Sequence, residues 1–185
     1  PYVIDFETLT SSVNSGNDKM RRSISGRFRR DIYHLNDNLG WSNERGEPNV
    51  FEAIRHLIMG GDKNLPGAMY GYAYKLIVEF HGRHLPNGNF YPCNSTWQEN
   101  EYQPQIDAFG VKLSLFDLIY NGPVPGVSFP SPGDFPAIGY WSPREIADNW
   151  PTMRDATGLS EEMQEVRGWL QTAHDAGRGI VAFYH

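Results

Sequence analysis

Apolar residues recur along this chain with recognisable periods. Met20, Ile24, Phe28, Ile32 and Leu35 are spaced by 4, 4, 4 and 3 residues, one face of an amphipathic helix. Gly26 lies inside that run and weakens the helix by ~1 kcal/mol relative to alanine. Val50, Ile54, Leu57 and Ile58 form the inward face of a second helix, opened near Pro48 and ended by Gly60-Gly61. Met69, Tyr72, Ala73, Leu76, Ile77 and Phe80 mark a third, which follows Pro66 and stops near Gly82. Only a short turn, Gly60 to Pro66, separates the two, so they are expected to pack as a helical hairpin.

Shorter elements follow. Ser95 and Gln98 have capping-box spacing, and Pro104 either ends that short helix or opens the next. Ser114 is placed to cap Leu115 to Tyr120, which Asn121-Gly122 stops. Ser142-Pro143-Arg144-Glu145 puts Ser at the N-cap, Pro at the first helical position and Glu at the third. Ser160 starts the last helix, with Met163, Val166, Trp169 and Leu170 inward and Gly177 and Gly179 at its end. Strand composition marks Tyr2 to Phe6, Ile138 to Trp141 and Ile180 to Tyr184. Ser11 to Asn17 and Asn36 to Pro48 read as loops, the second carrying Trp41; Trp97, Trp141 and Trp150 also fall in or beside loops. Five prolines between residues 123 and 136 predict a stiff segment laid over the surface through Val124, Val127, Phe129 and Phe135. One small sheet shared by the three strands and covered by helices satisfies their backbone hydrogen bonds most simply. The expected fold is α+β, in a single globular domain over residues 1–185.

Composition narrows the class. The 185 residues carry 16 Lys and Arg against 22 Asp and Glu, a net charge of −6, and 14% are aromatic, which argues against disorder. No apolar run approaches the ~20 residues of a membrane span. No basic region followed by an apolar stretch opens the chain, and one cysteine, Cys93, cannot make an internal disulfide. The expectation is a soluble, cytoplasmic protein with no membrane partner.

Three segments carry a family resemblance. His56-Leu57-Ile58-Met59-Gly60, Tyr70-Gly71-Tyr72-Ala73 and Asp134-Phe135-Pro136-Ala137-Ile138-Gly139-Tyr140-Trp141 occur in this order and spacing. Together they resemble an uncharacterised bacterial domain family of small cytosolic proteins, and more distantly the YfbM-like bacterial proteins. The resemblance covers roughly residues 2 to 150. It implies an N-terminal strand, a helical middle and a Pro-rich loop, and it assigns no activity and no catalytic residues.

Candidate chemistry is sparse. Lys19, Arg21, Arg22, Arg27, Arg29 and Arg30 place six positive charges in twelve residues with no acid among them. Such a run is either a solvated face paired with the protein's own carboxylates or a site for phosphate or an acidic partner, with Arg29 and Arg30 as its contacts. A net charge of −6 lacks the overall bias of nucleic-acid binders, so nucleic acid ranks last. His81, His84 and Cys93 are metal-ligand types but too few, and Asp62 and Glu79 would have to join them. The expectation is no metal and no cofactor, with the histidines meeting the last carbonyls of their helix. A Cys93–His pair would be nucleophilic, yet no spacing places a histidine beside it. Nucleophile-elbow and phosphate-loop motifs are missing.

A stiff loop loses little entropy on binding, which makes Asp134, Phe135, Tyr140 and Trp141 the leading contact residues. The first functional reading is a non-catalytic protein-binding module of immunity or antitoxin type with a protein partner. The alternative is a small enzyme or ligand-binding protein. Its pocket would lie between helix 67–82 and the Pro-rich loop 123–141, lined by Tyr70, Tyr72, His81, His84, Asp134 and Tyr140. A third reading is nucleic-acid binding through the basic helix 19–30.

Overall fold

The computed structural model describes residues 1–39, 46–61, 67–90, 98–133 and 135–185. They fall into two units. Unit 1 comprises Pro1–Phe6, Gly82–Val124 and Ile138–Phe183; unit 2 comprises Glu7–His81, Pro125–Ala137 and Tyr184–His185.

Unit 2 is helical: α1 (Phe6–Ser12, from Glu7 onward), α2 (Asp18–Arg27), α3 (Arg29–Asn38), α4 (Val50–Met59) and α5 (Ala68–His81). The single helix expected over residues 20–35 is two. The chain leaves helical geometry at Phe28 (φ −102, ψ 22), two residues past the helix-weakening Gly26. Asn49 and Glu52 close a capping box at the start of α4, and Gly60 takes the left-handed conformation at its end. Val50, Ile54, Leu57 and Ile58 are fully buried, as the periodicity predicts. The backbone N–H groups of Asn14 and Gly16 donate to the Leu57 and Ile58 carbonyls, satisfying acceptors that the end of a helix leaves open. α4 and α5 pack against each other as a hairpin. α5 is buried on nearly every side from Ala68 to Val78, a wider surface than its apolar stripe. The Pro-rich segment closes on it: Phe129 lies 5.2 Å from the Tyr74 ring, and Val127 is buried. A Cβ at Gly71 would stand 2.8 Å from Pro136 and 2.9 Å from Pro132, so only glycine admits this approach.

Unit 1 holds a four-stranded antiparallel sheet of β1 (Tyr2–Ile4), β2 (Arg83–His84), β3 (Ala137–Trp141) and β4 (Gly179–Tyr184), in the order β2-β1-β4-β3. Tyr2 pairs with His84 on one side and Val181 on the other. The three expected strands do share one sheet. β2 is an addition, because residues 81–84 read as a helix end and two residues show no period. α6 (Gln103–Ala108) has Pro104 in its first turn, so this proline opens a helix. α7 (Asp117–Tyr120) is shorter than expected, with the Ser114 hydroxyl accepting from the Asp117 N–H at 3.0 Å. α8 (Pro143–Asp155) begins in the Ser142–Glu145 capping box. It continues through Pro151 and carries Trp150, which the sequence placed near a loop. α9 (Glu161–Ala176) is capped by Ser160 and ends at Gly177 in the left-handed conformation. Ile106, Ile146, Met153, Val166, Leu170 and Ile180 are fully buried in the core of this unit. At Gly139 a Cβ would overlap the backbone of α7. Trp41, Trp97 and the Ser95 cap lie outside the described residues. Among the described residues no helix is long and apolar enough to cross a membrane.

Candidate functional site

The residues singled out from the sequence separate into different environments. Tyr70 is fully buried, and its hydroxyl lies 2.9 Å from His56 Nδ1. Tyr72 is two positions along α5, so it projects elsewhere and sets its ring edge-on to His185 at 6.2 Å. Tyr140 is half-buried and edge-on to Phe6 at 5.7 Å. His84 meets the Tyr2 ring at 5.2 Å. Asp134, Asp62 and Cys93 lie outside the described residues.

The contact surface expected over residues 134–141 is corrected at Trp141. This side chain is only 1% exposed, and its Nε1 donates to the Ser114 carbonyl at 2.8 Å. Alternation along β3 turns it into the core of unit 1. Phe135, by contrast, is 43% exposed and packs one side against Tyr184. Where the Pro-rich segment of unit 2 crosses α5, Pro132 and Pro136 press on Gly71.

The basic run is partly spent within unit 2. Asp18, just before it, pairs with Arg21 at 2.7 Å and Arg22 at 3.2 Å. The Arg21 hydrogen bond chiefly holds the Asp18 carboxyl below its ordinary value. Arg27 lies over the rings of Phe28 and Phe80, and Arg29 over Tyr33 at 5.6 Å. Arg30 is exposed.

His81 Nε2 lies 3.1 Å from Ser12 Oγ. The Ser12 hydroxyl donates to the Thr8 carbonyl at 2.7 Å, so its oxygen accepts from the imidazole N–H. Burial pushes the His81 imidazole below its ordinary value. Among the described residues no group of three or more His, Cys, Asp and Glu is placed to hold a metal ion.

Titratable groups do converge at one place in unit 2. Tyr72, Lys75, Leu76 and Glu79 fall on one face of α5, and Asp31, His34 and Leu35 on one face of α3; with His185 they line a cavity of 320 Å³. Lys75 Nζ and Glu79 Oε1 are 2.6 Å apart, with side chains only 20% and 18% exposed. Desolvation and then the Lys75 ammonium hold the His185 imidazole low, against the opposing pull of Glu79. It is therefore neutral near pH 7. The cavity thus offers one ammonium, two carboxylates and two imidazoles, that of His185 neutral, between two leucine walls. Lys75 and Glu79 are the only Lys, Arg, Asp or Glu in α5. A charged i,i+4 pair inside a helix otherwise apolar or aromatic was the signal available in the sequence.

Unit 1 carries a shallower groove of 590 Å³ between residues 85–89 and α9. Both oxygens of the Glu165 carboxylate accept backbone N–H bonds, from Gly88 at 3.1 Å and Asn89 at 3.0 Å. Trp169 donates its indole N–H to the Pro86 carbonyl, and Phe90 packs against its ring at 5.2 Å.

No curated protein and no solved structure matches the chain. The motif resemblance reached only to about residue 150, whereas a family model matches residues 1–185, and the chain belongs to that family, described as Domain of unknown function (DUF7691).

Proposed function

We propose that unit 2 binds a small polar ligand in the cavity between α3 and α5. The observation that carries this reading is the Lys75–Glu79 pair, four-fifths buried in a cavity wall beside Asp31, His34 and His185. Taking two charges out of water costs several kcal/mol, roughly as much as their attraction returns, so such a pair is weak evidence for stability. Convergent charged groups in a cavity are the usual mark of a binding or catalytic site. The volume, at the low end of ligand pockets, suits a molecule of amino-acid size bearing both charges: its carboxylate would meet Lys75 and its amine Asp31 or Glu79. Thermal-shift measurements with a panel of amino acids, amines and carboxylates test this. At least one zwitterion should stabilise the protein, and Lys75→Met or Glu79→Gln should abolish the shift. If no compound shifts the melting point, or if both variants respond like wild type, the reading fails.

A second reading, the protein-binding module, draws support from α7. Phe116 and Tyr120, 49% and 41% exposed, stack at 4.6 Å on its outer side. Exposed aromatic pairs are favoured as anchors at protein interfaces. A photo-crosslinking side chain at position 116 should give one discrete adduct in cells. Adducts no different from those of a control at position 154 would count against it.

A further inference from the structure

Gly168 stands in the middle of α9 without a structural reason. Glycine disfavours helices because it gives up the most backbone freedom and covers no neighbouring surface. Three glycines at or beside other elements of unit 1 have evident causes: Gly139 is pressed against α7, Gly179 against Phe6, and Gly177 takes the left-handed conformation. A Cβ at Gly168 would meet nothing within 4 Å. A position that breaks a local rule without a packing gain is where function is expected.

Gly168 lies in the wall of the groove of unit 1, between Glu161 and Glu165 on one side and Thr172 on the other. From Glu161 to Thr172 the lining runs about 16 Å along the helix, at ~1.5 Å per residue. That is the length of roughly five residues of extended peptide. Any larger side chain at 168 would stand in the middle of this track.

Charge selects the occupant. The lining includes two carboxylates and no Lys or Arg. Unit 1 as a whole holds twelve Asp and Glu against six Lys and Arg, while unit 2 is balanced at ten of each, so the entire net charge of −6 sits in unit 1. Glu165 is fixed by its two backbone N–H bonds, and Glu161 has no ion-pair partner among the described residues. Leu85 and Trp169 are buried beneath the groove, and the exposed Pro86 supplies apolar surface against which the stem of a long cationic side chain can lie. We infer that this groove binds an extended, Lys/Arg-bearing segment of a partner protein, its backbone crossing Gly168 and its cationic groups reaching Glu161 and Glu165. The inference concerns unit 1 and stands or falls independently of the cavity in unit 2.

Fluorescence anisotropy with the full chain tests it, using three labelled peptides of equal length: Arg/Lys-rich, the same with Gln at each cationic position, and the same with Glu. The basic peptide should bind and weaken as salt is raised. Gly168→Leu should weaken it by roughly tenfold or more and Glu161→Gln by several-fold. Gly168→Ala, with room for its methyl, should keep the circular dichroism and melting temperature of a folded helix; Gly168→Leu should match it, showing that lost binding is not lost folding. Equal binding of the Gln peptide, unchanged binding by Gly168→Leu, or no binding of the basic peptide would each overturn the assignment. Spermidine binding as tightly as the peptide would give the groove to a small polyamine and also overturn it.

Discussion

His56 Nδ1 lies 2.9 Å from the Tyr70 hydroxyl, tying α4 to the first turn of α5. His56 is half-buried and Tyr70 fully buried, with their rings tilted at 6.1 Å. Both belong to short segments that carry the family resemblance, and the contact gives this pair a structural role. Tyr70→Phe removes one hydroxyl and should cost about 1 kcal/mol. Tyr70→Ala empties a core position and should cost about 3–5 kcal/mol. Urea unfolding of both variants checks this; equal losses would show that the hydroxyl, not the ring, dominates.

The glycines of the other two contacts should respond in order of what they touch. Gly139→Ala drives a methyl into backbone and should cost about 3 kcal/mol or more. Gly71→Ala meets the rings of Pro132 and Pro136 and should cost about 1–3 kcal/mol. Gly26→Ala, in open space within α2, should instead stabilise by about 0.5–1 kcal/mol. Melting temperatures of the three variants give the order directly, and a stabilised Gly139→Ala would contradict the packing described.

Acid should weaken the protein through His81. Burial holds its folded-state value below the ordinary 6.5 of the unfolded chain. Between those two values the unfolded chain binds more protons than the folded one. The stability that the neutral ring contributes is therefore complete above about pH 6.5 and is lost as pH falls towards the folded value. Denaturation midpoints over this range should fall in wild type and fall less in His81→Gln. His185 is depressed in the same direction, so part of the slope should remain. An identical slope in wild type and variant would remove His81 from the account.

Phe135 and Trp141 should separate surface from core. Phe135→Ala, at an exposed position, should change stability by no more than about 0.5 kcal/mol. Trp141→Ala should cost about 3–5 kcal/mol, since it empties a buried site and leaves the Ser114 carbonyl without its donor. Comparable effects of the two substitutions in chemical denaturation would be inconsistent with their burial.

Local signals carried the sequence reading far. The spacing of Val50, Ile54, Leu57 and Ile58, the Ser142–Glu145 box and the glycine stops are short-range, and each matches an element. Strand composition at residues 2–6, 138–141 and 180–184 was enough to place three strands in one sheet. What stayed hidden depends on tertiary packing. Near Phe28 the sequence offers only Gly26, which weakens a helix without fixing where it breaks. β2 is too short for a period and exists because β1 offers it an edge. Trp141 ends its strand beside a loop, and only the packing of β3 shows that it faces inward. The cavity of unit 2 draws on α3, α5 and His185, which lie far apart in sequence.

β1 lies between β2 and β4, so Tyr2 pairs with His84 on one side and with the far more distant Val181 on the other. Pairings between such distant segments must overcome a large loop-closure entropy and form slowly. Unit 1 therefore has to keep Val3 and Ile4, both core residues, away from wrong partners until Gly179 to Val181 dock beside them. Until that pairing forms, β1 presents an open edge to any other strand.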